Sequence, residues 1–92
     1  MSSSLSALEH LLALAEAMLS AAEDGDWESL ARHEAARRAL TDSLPSNLTS
    51  RLAPAEAVRA RTLIGNCQRC DARIRPLVEA RLNELRVVLR EV

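Results

Sequence analysis

Residues 19–44 read LSAAEDGDWESLARHEAARRALTDSL, and the fold turns on the middle of that stretch, Gly25-Asp26-Trp27. Gly25 supplies the left-handed residue that ends a helix at little steric cost. Asp26 restarts the chain as an N-cap, with Trp27 and Glu28 in the new first turn. So short a connection folds the second helix back along the first as a helical hairpin.

Upstream, Leu5, Leu8, Leu12, Ala15, Leu19 and Ala22 alternate by three and four, one stripe of a helix running from about residue 5 to 24. Leu11 and Met18 widen the stripe enough to meet two neighbours. Ser6 and Glu9 have the spacing of a capping box, and the other serines nearby are alternative caps. Downstream, the second helix spans about 26–44 and stops before Pro45, which disfavours helix in the residue ahead of it. Its apolar positions are Trp27, Leu30, Ala31, Leu40 and Leu44, interrupted by Glu34 and Arg37.

Pro45 to Ala53 reads as a loop, with Leu48 and Leu52 tucked inward. Pro54 suits the first turn of a third helix, where its missing N–H costs nothing. No strong stop follows before Val92, and Pro76 is expected to kink the helix rather than end it. The stripe Ile64, Cys67, Asp71, Ile74, Val78, Arg81, Leu85, Val88, Val92 supports one long helix over about 54–92. At ~1.5 Å per residue that helix is roughly 55 Å long, against about 30 Å for each of the others. The hairpin cannot cover it, so its uncovered stripe is expected to meet a second copy of the chain, as in a dimer or other homo-oligomer, or a different partner. The expected fold is all-α: an antiparallel hairpin plus a long, Pro-kinked third helix, in one domain.

Composition agrees. The chain has 92 residues, 48% of them apolar, with Trp27 the only aromatic. A core of Leu, Ala, Val and Ile suits closely packed helices. Every basic side chain is Arg. Residues 1–50 hold eight acidic and three basic side chains, and residues 51–92 hold five and nine, for a net charge of −1. That balance argues against a protein that coats nucleic acid, and the asymmetry points to complementary packing of helix on helix. Glu9, His10 and Glu16 interrupt the N-terminal apolar stretch. No signal core and no run long enough to span a bilayer is read there. A cytoplasmic location follows as an expectation, with no membrane partner and with Cys67 and Cys70 reduced.

Candidate chemistry is sparse. Cys67-Gln68-Arg69-Cys70 is a lone C-x-x-C pair, and zinc would need further ligands, with His10 and His33 the only imidazoles. A redox motif of this spacing would follow a strand, and none is expected. The pair reads first as small packing residues, with metal or redox roles as the alternative. No nucleophile elbow and no phosphate-cradling Gly-rich loop is present. No catalytic site, metal or cofactor is expected. Glu34, Asp71 and Arg81 fall in or near apolar stripes. Such charges either pair between helices and fix register, or remain free for a partner's polar groups. Arg73, Arg75, Arg86 and Arg90 read as a solvated face.

Two segments together resemble the FliT-like flagellar export chaperone family. The first is the quoted stretch, with Gly25-Asp26-Trp27, Leu30, Glu34, Arg37-Arg38 and Leu40. The second is residues 71–85, DARIRPLVEARLNEL. The resemblance implies a cytoplasmic chaperone that binds the C-terminal segment of the flagellar filament-cap protein until the type III export apparatus takes it. Some members also bind the flagellar master transcription regulator and the export ATPase complex. The family's client surface lies largely on the third helix, which implies Ile64, Gln68, Asp71, Arg75, Val78 and Leu82 as client-binding positions here. Members usually carry a fourth helix that masks this surface, and the sequence to Val92 contains no counterpart. Two other classes compete: a self-associating structural module with no dedicated client, and a DNA-associated regulator using the Arg-rich third helix. The acidic first half and the lack of a recognition-helix pattern count against the latter.

Overall fold

The computed structural model describes residues 3–44 and 52–91. Three helices follow in chain order: α1 (Ser3–Asp24), α2 (Trp27–Ser43) and α3 (Pro54–Glu91). Their ends follow local chemistry. Gly25 adopts φ +70°, and the Gly25 and Asp26 N–H groups close α1 on the carbonyls of Ala22 and Ala21. The Asp26 carboxylate then accepts hydrogen bonds from the backbone N–H and hydroxyl of Ser29, capping α2. α3 begins on Pro54, and Glu56 in its first turn accepts from the Ala53 N–H at 3.2 Å. One expectation fails: Ser6 lies a turn inside α1, which begins at Ser3, so Ser6 and Glu9 do not box its start. Most of the expected loop, residues 45–51 with Leu48, lies outside the described part of the chain. Leu52, near the loop's end, is half-buried against the core as expected.

α1 is the centre of the molecule, and α2 and α3 each pack chiefly on it. Near one end, Leu8 of α1 shares a cluster with Ala60 and Leu63 of α3, with Leu5, Leu11, Leu12 and Ile64 around it. Near the other, Met18, Leu19 and Ala22 of α1 surround Ile74, backed by Trp27, Leu30, Cys70, Leu77 and Val78. The two clusters run in the same order along α1 and α3, so those helices are parallel and the topology is up-down-up. Ala15, fully buried, lies on α1 between the two clusters. Leu63 is the deepest large side chain, 1% exposed. Its burial contributes about 1.5–3 kcal/mol by transfer alone. The sequence reading placed the stripe on Ile64; the packed line instead runs through Ala60, Leu63, Cys70, Ile74 and Leu77, and Ile64 sits on its flank.

α1 also corrects the reading that no run could span a bilayer. Ser4–Asp24 is long and apolar enough by length and composition. The physical reason is its duty in the core: a central helix flanked by two neighbours needs a broad apolar surface, and it supplies six of the buried apolar side chains.

α3 continues unbroken through Pro76. Both Pro76 and Ala72, whose carbonyl loses its usual donor, are exposed, so water can satisfy that carbonyl. The long dimension of the molecule, 56 Å, is that of α3 alone. Because Leu19 packs beside Ile74, the end of α1 comes level with about residue 79. The remainder of α3 extends past the hairpin turn by about 18 Å. Along it Leu82, Leu85, Val88 and Leu89 stay exposed, Leu89 by 73%.

Candidate functional site

Where α3 leaves the hairpin, the three helices leave an open apolar groove of about 460 Å³. Its floor is Met18 of α1 and Ile74 of α3. One wall is the first two turns of α2, with Trp27, Leu30, Ala31 and Glu34. The other is α3, with Val78, Arg81, Leu82 and Leu85. The groove exists because α2 begins directly at the turn. The N-cap on Asp26 fixes the entry of α2, which sets Trp27 beside the end of α1 while α3 runs on past both.

Its two charged members differ. Glu34 accepts a hydrogen bond from Arg38 at 2.6 Å, one turn along the same helix. Arg81 reaches its own helix's Glu84 only at 3.5 Å, and its guanidinium lies 6.0 Å from the centre of the Trp27 ring. The expected inter-helix pairing therefore holds for Asp71, which Arg37 of α2 meets at 2.6 Å, and not for Glu34 or Arg81, whose partners are local. A second link, Arg73 to Glu23 at 3.4 Å, ties α3 to α1 on its other side.

Of the six positions implied on α3, the structure brings Val78 and Leu82 into the groove. Val78 also packs on the core cluster, whereas Leu82 is 46% exposed. Asp71 is held by Arg37. Gln68 and Arg75 are exposed, and Ile64 rests against the distant cluster. All six share one flank of α3, yet only its C-terminal part forms a concavity. The set omitted the other groove residues, Trp27, Leu30, Glu34, Arg81 and Leu85 among them. A usable signal was present: the only aromatic in the chain stands in the first turn after the hairpin.

Cys67 and Cys70 are both free and half-buried, and burial pushes each thiol above its ordinary value, with Asp71 and Glu16 adding to the effect. Raised thiols are poor nucleophiles and poor ligands. Among the described residues no three His, Cys, Asp or Glu side chains gather as a metal site. His10 is exposed and His33 half-buried. What the arrangement can do is hold an apolar side chain, with a cation at its edge.

A family model described as flagellar protein FliT matches residues 5–92 of the chain, which take in α2, α3, all but the first two residues of α1, and the groove. No curated protein and no solved structure gave a match.

Proposed function

The chain belongs to the FliT family of flagellar proteins, and from that premise we propose that it is a cytoplasmic export chaperone, not an enzyme, whose client is the C-terminal segment of the flagellar filament-cap protein. The observation that carries this reading is the open groove at the Trp27 end of the hairpin, continued by the bare apolar side chains of α3. An exposed apolar trench beside a rigid helix suits an amphipathic helical segment laid along it. The client would lie on the flank from Ile64 through Gln68, Asp71 and Arg75, and anchor at Val78 and Leu82. A client disordered when free loses entropy on ordering, which keeps affinity moderate and allows hand-over to the export apparatus. The flagellar master regulator is a second client for the same surface.

Calorimetric titration with the cap protein's C-terminal segment tests the proposal. Binding with a Kd of about 1 μM or tighter is expected. Leu82→Arg should abolish it with the helical spectrum intact. Leu82 is a cleaner probe than Val78, whose replacement by Arg would also disturb the core. The exposed Leu85, Val88 and Leu89 support one other reading, burial by a second copy of the chain. A silent titration together with a concentration-dependent dimer would favour that self-associating module.

A further inference from the structure

We propose that Arg81 determines which segments the groove accepts: an amphipathic helix carrying a carboxylate about one turn from the apolar side chain it inserts beside Trp27. This deepens the chaperone reading and rests on it.

The groove is apolar except for Glu34 and Arg81. Glu34 is already neutralised by Arg38 at 2.6 Å, so the groove's unanswered charge is positive. Arg81 is 40% exposed, and its one ion pair among the described residues is Glu84 at 3.5 Å, near the limit of such a contact. An exposed pair of that kind within one helix contributes little and yields easily. The guanidinium has five donors in a planar fork, and one distant carboxylate leaves most of them to water.

Any occupant that fills the groove removes that water. A wholly apolar segment would leave Arg81 desolvated with only Glu84 for company, a strongly unfavourable outcome. A basic segment would add repulsion. A segment with a suitably placed Asp or Glu replaces the lost water with a charge-assisted, bidentate contact while its apolar side chain packs on Trp27 and Leu82. The ring of Trp27, whose centre lies 6.0 Å from the guanidinium, attracts the same cation.

The test titrates the protein with the cap protein's C-terminal segment and with the same segment after every Asp and Glu is changed to its amide. Wild-type protein is expected to bind the amidated segment about tenfold more weakly. Arg81→Gln should bind both forms alike, at the weaker level, and Arg81→Lys should restore part of the difference. A purely structural role for Arg81 would weaken both forms equally, and circular dichroism of each variant separates that case. Equal binding of the two forms by the wild type overturns the inference and leaves the chaperone reading standing. So does an amide effect of the same size in Arg81→Gln. Binding of neither form overturns the chaperone reading and this inference with it.

Discussion

Arg37 of α2 and Asp71 of α3 meet at 2.6 Å across a seam where the two helices otherwise touch little, since each rests chiefly on α1. Both side chains are partly exposed, 29% and 42%, so the pair is neither a buried charge nor a freely solvated one. It ties α2 to α3 one turn from Glu34 and Ile74 of the groove.

A double-mutant cycle on Arg37→Ala and Asp71→Ala should give a coupling of about 0.5–1 kcal/mol, falling as salt rises. Denaturant melts of the four proteins at low and high ionic strength measure it.

Leu63→Ala should cost about 2–5 kcal/mol, because the fixed backbones around Leu8 and Ala60 cannot close the cavity. Leu89→Ala, at a position 73% exposed, should change stability by less than about 0.5 kcal/mol. Urea midpoints of the two variants make the comparison.

At Gly25 a new Cβ would meet nothing within 4 Å, so the cost of Gly25→Ala is conformational alone. At φ +70° it should be about 1–2 kcal/mol, with Gly25→Asn milder. Thermal melts of both should preserve that order.

The hydrogen bonds from Ser29, side chain first and backbone second, hold the Asp26 carboxyl below its ordinary value of 3.8. The folded value is lower than the unfolded one, so the contribution is fully present above the unfolded value and is lost as pH falls through the folded one. Asp26→Asn, which keeps an acceptor but cannot titrate, should flatten this dependence. Melting midpoints on either side of pH 3.8 read it out.

Burial raises the Cys67 and Cys70 thiols, so both should react with iodoacetamide more slowly than the same residues in the unfolded chain at pH 7.5. Mass spectrometry after timed quenching compares the native and urea-unfolded rates.

The hairpin was legible because its signals are local. Gly25, Asp26, Pro54 and the three-four spacing each act within a turn of themselves, and the structure uses all of them. Which side of α3 faces inward was less so. Leu63 and Ile64 are adjacent and both apolar, about 100° apart on a helix, and only the docking of α1 decides that Leu63 goes in. The groove had a further obstacle. Its residues lie on three helices, so Met18, Trp27 and Arg81 become neighbours through tertiary packing alone, and α3 read by itself yields just the Val78–Leu82 wall.

The unbroken run of α3 through Pro76 carries an evolutionary corollary. Buried anchor and open groove wall share one rotational phase, so a single residue inserted between Ile74 and Val78 would swing every later side chain by about 100°. Leu82 and Leu85 would turn away from Trp27 while Leu63 stayed seated. A shift of register in that helix would therefore dismantle the α3 wall of the groove even with every side chain there unchanged.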